Sequence, residues 1–201
     1  MNHSSRWTET CHLSKLRAAD LQTDGVVFRQ DCNLYRTTGK HLSNGGMGSV
    51  FIMERFSEDS GAVEPVVGKT FHSQYLYQLR TDDITRREHE ANLHAMELLS
   101  RTEHPNLLPT YLSAQIADNH LLVSPLLGYT LHECVARGRL SPRQRVVMLI
   151  QALHGLCALH ETRLIHRDVT LRNIILDPGH ERALLFDFDL TMSLDEVIGV
   201  N

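Results

Sequence analysis

The residues best suited to chemistry lie near the carboxyl end of the chain. Asp168 and Asn173 are five residues apart in one predicted loop, and a predicted hairpin with its turn at 177–179 then leads to Asp187 and Asp189. Because a hairpin returns the chain towards its start, we expect Asp187 to lie near the first two side chains. Carboxylates and an amide grouped in this way can orient a hydroxyl nucleophile and hold Mg²⁺ on a nucleotide. The spacing therefore predicts a phosphoryl-transfer site.

The composition is that of an ordinary globular protein. The chain has 201 residues, of which 42% are hydrophobic and 22% charged, and its net charge is −4. These values argue against a nucleic-acid or membrane-binding surface, and no apolar run approaches the roughly 20 residues of a membrane span. The four cysteines include no C-x-x-C pair, which argues against a zinc site or disulfide framework and suits a reducing compartment. We expect a monomer.

A glycine-rich hairpin precedes the site in the chain. Alternating apolar residues predict strands over 34–42 and 50–56, joined by a loop that contains Gly45, Gly46 and Gly48 and leads to Val50. Glycine lets a backbone approach a phosphate closely and direct its N–H groups at it. Many glycine-rich hairpins are only turns, so the phosphate-binding interpretation depends on the residue types in the next strand.

A lysine follows on the next predicted strand. Residues 64–71 alternate so that Val67, Lys69 and Phe71 share one face. A lone lysine among apolar residues is usually an edge-strand charge, but after a glycine loop it can bind phosphate. The next segment, 84–101, predicts a helix with Leu93, Met96 and Leu99 in a stripe.

Two further helices are predicted. Ser141-Pro142 is a strong start for a helix to His160, whose core-facing side is predicted to carry Val146, Ile150, Leu153, Leu156 and Leu159. Near the amino end, helical spacing of Leu13, Leu16 and Leu21 predicts a short helix over 11–24 that Gly25 ends.

Taken together, these motifs resemble those of a protein kinase over residues 34 to about 190. His166-Arg167-Asp168 with Asn173 matches H-R-D-x-x-x-x-N, 187–189 resembles D-F-G, and the glycine loop, Lys69 and His104-Pro105-Asn106 precede them in the family's order. Only twelve residues follow Asp189, without an A-P-E segment. The resemblance implies an α+β, minimal two-lobed fold: an N-terminal extension (1–33), a β-sheet N-lobe (about 34–123), a hinge (about 124–128) and a truncated helical C-lobe (about 129–201).

The resemblance also implies roles for the catalytic residues. Asp168 would accept or orient the proton of the substrate hydroxyl, while Asn173 and Asp187 would hold Mg²⁺. In an extended segment Asp189 shares a face with Asp187 and could add a metal contact, or it could be a local cap. Thr170 stands where serine/threonine kinases have a lysine, so Arg172 would carry that charge, as in tyrosine kinases. A serine/threonine kinase is nevertheless favoured.

Other residues are assigned to ATP by the same resemblance. Gly45, Gly46, Gly48 and Lys69 would bind its phosphates, and Val50 is assigned to the same nucleotide site. Val123 would line the back of the nucleotide pocket, and backbone groups from Ser124 to Leu126 would face adenine. In kinases a glutamate of the helix after the lysine strand pairs with that lysine. Glu90 is the first choice here, with Glu88 and Glu97 as alternatives.

The truncated lower lobe makes the chain similar to the minimal type III effector kinases of plant-associated bacteria (the BF class of the Hop family). This similarity implies secretion into the host cytoplasm, phosphorylation of a serine of the host chaperone heat-shock protein 90 and inhibition of its ATPase. Activity is expected without activating phosphorylation, because only Thr191 and Ser193 could supply a phosphate near Arg167.

Two other functions remain open. A small-molecule phosphotransferase of the aminoglycoside or choline kinase type is favoured by the D-x-D at 187–189, but Arg167 and the absent substrate-binding helices argue against it. A pseudokinase that binds a chaperone would not need Lys69, Asp168, Asn173 and Asp187 together.

Overall fold

The computed structural model describes residues 6–45 and 47–197, with side chains described as far as residue 195. The chain divides into a first unit of Met1–Thr81 and Thr110–Leu126 and a second unit of Asp82–Pro109 and Leu127–Asn201. Strands dominate the first unit and helices the second, so the predicted α+β class is confirmed.

The first unit is built on one antiparallel sheet. Its strands are β1 (Asp24–Gln30), β2 (Asn33–Asn44), β3 (Gly48–Ser57), β4 (Val63–Phe71), β5 (Leu112–Gln115) and β6 (His120–Pro125). They lie in the order β1-β2-β3-β4-β6-β5, and helix α1 (Ser73–Thr81) follows β4. The strands predicted around the glycine loop and the lysine are therefore present, whereas α1 was not predicted.

The prediction of a helix over 11–24 is wrong. The chain instead forms two short 3₁₀ turns, Leu13–Lys15 and Ala18–Gln22, before it enters β1. The second turn is closed locally, since the Asp20 carboxylate accepts the backbone N–H of Arg17 at 2.8 Å, and such local bonds compete with an α-helix. Leu16 and Leu21 are nevertheless fully buried, packed in one core cluster with Phe28 of β1 and residues of the other strands. The described residues before 34, from residue 6 onward, thus belong to the sheet unit.

The second unit combines helices with two small hairpins. The helices are α2 (Asp83–Ser100), α3 (Leu131–Ala136), α4 (Pro142–Glu161) and α5 (Leu194–Val197), and the strands are β7 (Leu164–Ile165), β8 (Ile174–Leu176), β9 (Ala183–Leu185) and β10 (Met192–Ser193). Strand β8 pairs with β9 and β7 with β10, both antiparallel. Helix α2 and residues 104–106, which the sequence placed in the N-lobe, group with this unit. Asn92 of α2 is hydrogen-bonded to Phe188 and Thr191, and Asn106 is hydrogen-bonded to β9.

Helix α4 starts as predicted, but only part of its predicted core face is buried. Ser141 and Gln144 form a reciprocal capping box around Pro142, the first residue of the helix. Of that face, Val146, Ile150 and Leu153 are exposed, with relative exposures of 57%, 47% and 56%, whereas Leu156 is partly buried and Leu159 fully buried, as predicted. The buried side consists of Met148, Ala152, Gly155 and Leu159. Because this helix is apolar on almost every side, its periodicity does not identify the side that packs on β9.

Within the described residues, no helix combines the length and the apolar character needed to cross a membrane.

Candidate active site

The loop after β7 is held by a buried histidine. His166 is fully buried, and its Nε2 lies 3.0 Å from the carbonyl oxygen of Phe186, while its Nδ1 accepts the backbone N–H of Asp168 at 3.3 Å. Since Nδ1 is an acceptor, the proton is assigned to Nε2, which donates to the carbonyl. One imidazole therefore connects the loop that carries Asp168 to the segment that carries Asp187. This agrees with a structural role for His166.

Asp168 and Asn173 lie side by side. The side-chain amide of Asn173 donates to the carboxylate Oδ2 of Asp168 at 2.7 Å and to the backbone oxygen of Asp168 at 2.9 Å. Asn173 is buried at the end of a 3₁₀ turn, Leu171–Asn173, whereas Asp168 is partly exposed. The amide thus fixes the orientation of a carboxylate that solvent can still reach, which is the arrangement a general base needs.

Asp187 follows β9 in an unusual backbone conformation. Its φ is +61°, in the left-handed region that few residues other than glycine, asparagine and aspartate adopt. The preceding residue, Phe186, donates its N–H to the carbonyl oxygen of Asn173 at 3.1 Å, which keeps the two segments together. Arg167 also has a left-handed φ of +65°. Such conformations cluster at functional sites, where the surrounding contacts hold them.

The segment from Phe188 to Thr191 is a turn, not an extended strand. The N–H of Thr191 donates to the carbonyl oxygen of Phe188 at 2.9 Å, and the buried Phe188 ring packs on His166 with centroids 5.3 Å apart. The expectation that Asp187 and Asp189 share a face rested on an extended segment, so that premise is wrong. A metal contact from Asp189 stays a prediction.

The oxygen donors present suit magnesium. Mg²⁺ is usually held by one or two carboxylates together with substrate phosphates, not by a complete protein cage. The amide N–H groups of Asn173 face Asp168, so the Oδ1 of Asn173 is a possible metal donor. Asp187 supplies a carboxylate. The described residues contain no group of three or more histidine, cysteine, aspartate or glutamate side chains that could hold a metal by itself.

The hairpin that carries Asp187 is anchored from two sides. The Asn106 amide donates to the Ala183 carbonyl at 2.9 Å, and the Asn106 carbonyl accepts the N–H of Leu185 at 2.9 Å. From α4, Gln151 donates to the carbonyl of Glu181 at 3.0 Å and accepts the N–H of Ala183 at 2.7 Å. The H-P-N residues and α4 therefore position the strand that leads to Asp187.

In the first unit, the glycine loop folds back onto β4. Gly45 donates its N–H to the carbonyl oxygen of Gly48 at 2.8 Å, and the His72 ring lies 3.1 Å from the Gly45 carbonyl. A Cβ on Gly48 would lie only 2.2 Å from the carbonyl oxygen of Thr70, so glycine is required there by packing. Gly46 lies outside the described residues, and Val50 is paired with Lys69 in the sheet.

Lys69 lies partly exposed on β4, opposite Leu122 of β6. Along β6, Val123 is fully buried, whereas Ser124 is partly exposed and paired with Val67. The N–H of Leu126 donates to the Pro65 carbonyl at 3.2 Å, so this donor already has a partner within the sheet unit. The adenine contacts expected of this segment stay predictions.

The three candidate glutamates lie on different sides of α2. The buried face consists of Asn92, Ala95, Met96 and Leu99. Glu88, four residues before Asn92, lies on the same side of the helix but is exposed, and Glu90 and Glu97 lie exposed on the opposite side. Glu97 also pairs with Arg101 at 2.8 Å. Arg172, the remaining sequence-predicted residue, is exposed in the turn beside Asn173.

Two residues near this machinery were not singled out from the sequence. Asn92 is 5% exposed and bonds to the turn after Asp187, and His72 lies beside the glycine loop. The available signal for Asn92 was its position three, four and seven residues before Ala95, Met96 and Leu99, which places a polar side chain on an apolar face. For His72 the sequence offered no comparable signal.

Comparison with known proteins agrees with this geometry. Residues 37–197 match the family described as protein kinase domain. The chain is 28% identical over 152 residues to serine/threonine-protein kinase pkn2 of Myxococcus xanthus, covering 74% of this chain and 17% of the relative. It is 31% identical over 119 residues to serine/threonine-protein kinase Nek11 of Macaca fascicularis, covering 52% of this chain and 18% of the relative. The chain therefore spans less than a fifth of the length of either relative.

Proposed function

Because this chain belongs to the protein kinase family, we propose that it transfers the γ-phosphate of ATP to a serine or threonine hydroxyl of a protein substrate. The observation that carries the proposal is the contact between Asn173 and Asp168, which holds a solvent-accessible carboxylate in one orientation. Phosphoryl transfer needs little covalent assistance from an enzyme, so positioning and charge account for most of the catalysis.

In the second unit, Asp168 would accept or orient the hydroxyl proton of the substrate. Asn173 and Asp187 would hold Mg²⁺, with Asp189 as a further candidate ligand. Magnesium, when bound, would neutralise negative charge on the phosphate oxygens. In the first unit, Lys69 would add a fixed positive charge, and Gly45, Gly46 and Gly48 would direct backbone N–H groups at the phosphates.

A serine or threonine acceptor is favoured over tyrosine. Both relatives described above are named serine/threonine-protein kinases. The exposed Arg172, two residues after Thr170, would supply the cation that a lysine supplies in many such enzymes.

We further propose that the protein is a bacterial type III effector that acts in the host cytoplasm and phosphorylates heat-shock protein 90. The support is the similarity of the motif set to the BF class of Hop effectors. Phosphorylation of a serine of the chaperone would inhibit its ATPase. We expect the enzyme to act as a monomer, without nucleic-acid or membrane partners.

The test is transfer of radiolabelled γ-phosphate from Mg-ATP to purified heat-shock protein 90 and, separately, to proteins of a host-cell lysate. We expect Asp168→Ala to lower kcat by about 10²–10⁴-fold, the usual contribution of a general base. Asp59→Ala is the matched control, since it removes an exposed carboxylate from the turn between β3 and β4.

The outcomes separate the proposals. Label on the chaperone that Asp168→Ala abolishes supports both the kinase and its target. Label only on other lysate proteins keeps the kinase and rejects the target. Label on an aminoglycoside or choline but on no protein indicates the small-molecule enzyme, favoured by the two aspartates at 187 and 189. ATP binding without any transfer indicates a pseudokinase.

A further inference from the structure

The turn that follows Asp187 is tied to helix α2 by one buried side chain. The amide nitrogen Nδ2 of Asn92 donates to the carbonyl oxygen of Phe188 at 2.7 Å and to that of Thr191 at 3.1 Å. Asn92 is only 5% exposed, so water competes little for these bonds. Both hydrogens of the amide are therefore used to hold the two ends of one turn.

Other contacts of the described residues also act on this turn, but none of those given below joins both of its ends to one side chain. Its internal bond, from the N–H of Thr191 to the Phe188 carbonyl, closes the turn but does not fix it to the rest of the unit. The Phe188 ring packs on His166, and the next strand, β10, pairs with β7 through only Met192 and Ser193. Asn92 is thus a direct polar connection between a long helix and both ends of the turn.

This connection affects Asp187 because Asp187 is joined by a peptide bond to Phe188, whose carbonyl oxygen Asn92 holds. Asp187 immediately precedes Phe188 and has a φ of +61°, a conformation that must be stabilised by its surroundings. On its other side, Phe186 is held by His166 and by the carbonyl of Asn173. Asn92 therefore completes the restraint of Asp187 from the carboxyl side.

We propose that Asn92 is a positioning residue that holds Asp187 in the geometry needed to bind the metal ion of the nucleotide. The proposal rests on the proposed kinase function. It differs from the pairing of a lysine with a glutamate of this helix, because Asn92 acts on backbone carbonyl groups of the metal-binding segment. A residue that only filled the core would need no donor directed at both ends of the turn.

The test replaces the donor without changing the shape of the side chain. In Asn92→Asp, a carboxylate takes the place of the amide and faces two carbonyl oxygens to which it cannot donate. In Asn92→Leu, the side chain keeps a similar volume but has no polar atom. His94→Ala is the control, since it alters an exposed residue of the same helix that touches none of the machinery described above.

The readout is the strength with which a non-hydrolysable ATP analogue binds with and without Mn²⁺, measured by calorimetry. For the unaltered protein we expect the metal to strengthen binding. In Asn92→Asp and Asn92→Leu that gain should fall by about 10–100-fold, as is usual when a group supporting a metal ligand is removed. Binding of the metal-free analogue should not change, and thermal unfolding confirms that each variant is folded.

Several results would overturn the proposal. If both variants keep the full gain from Mn²⁺ while losing thermal stability, Asn92 is only a packing residue. If neither variant folds, Asn92→Ser replaces them, and an undiminished metal gain in it also counts against the proposal. If the unaltered protein shows phosphate transfer but no metal gain, the metal-positioning role fails while the kinase stands. If it shows neither, the proposed function itself fails.

Discussion

Gly155 of helix α4 lies directly against the backbone of Asn106. A Cβ at position 155 would stand 2.4 Å from the Asn106 carbonyl oxygen, closer than any real contact of this kind. That carbonyl also accepts the N–H of Leu185 on the strand leading to Asp187. The close approach of helix and loop is thus part of how the β8–β9 hairpin is positioned.

We expect Gly155→Ala to be destabilising. In an open helix, alanine gains about 1 kcal/mol over glycine, but here the added methyl must displace backbone, at a cost of about 1–3 kcal/mol. Urea denaturation should show a net loss in the free energy of unfolding. Cys157→Ala is the control, since Cys157 is exposed on the same helix. Equal stability of Gly155→Ala and the unaltered protein would show that helix and loop can separate without penalty.

The three candidate glutamates of α2 can be ranked by replacement with glutamine. Glu88 lies on the helix face that also carries Asn92, whereas Glu90 and Glu97 lie on the opposite side. We therefore expect Glu88→Gln to lower kcat/KM by at least about tenfold, equivalent to about 1.4 kcal/mol, and the other two changes to have little effect. A larger loss in Glu90→Gln would restore the first choice made from the sequence.

Thr191 has a buried hydroxyl whose Oγ1 has no hydrogen-bond partner among the described residues. Thr191→Val removes that hydroxyl at almost constant volume, so we expect the free energy of unfolding to rise by about 1 kcal/mol. Activity should be kept, because the backbone carbonyl that Asn92 contacts is unchanged and Arg167 already contacts the sulfur of Met192. Thermal unfolding and a phosphate-transfer assay measure the two effects.

Thr191→Ser is the comparison for that change, since it keeps the hydroxyl and loses a methyl group. We expect it to be less stable than Thr191→Val. Two results together would contradict the expectation that no activating phosphorylation is needed. Thr191→Val would be inactive, and the unaltered protein would lose its activity after phosphatase treatment.

The two faces of α4 should differ sharply in mutational cost. Leu159 is fully buried, so Leu159→Ala should lower the free energy of unfolding by about 2–5 kcal/mol. Leu153 is 56% exposed, and Leu153→Ala should change the free energy of unfolding by less than about 0.5 kcal/mol. The same urea titrations measure both. Comparable losses for the two variants would show that the face containing Leu153 is covered in solution.

Much of the local geometry of the candidate site could be predicted from the sequence because it depends on short-range interactions. The spacing of Asp168 and Asn173 places both in one loop, and Ser141 with Gln144 caps α4 through atoms only three residues apart. The strands around the glycine loop were likewise found from alternation and turn residues. Interactions of this kind are complete within a few residues, so the sequence alone determined them.

The remaining features depend on partners far away in the chain. Helix α4 is apolar on almost every side, and only packing on β9 selects the face with Leu159 over the face with Leu153. The leucines at 16 and 21 are buried as their type suggests, but pairing of β1 with β2 and local bonds of Asp20 replaced the expected helix by 3₁₀ turns. Asn92 meets its two carbonyl partners 96 and 99 residues away. The sequence therefore determined which groups are available for chemistry, and the tertiary structure decided which of them meet, because burial and hydrogen bonding over such separations exist only once the chain is packed.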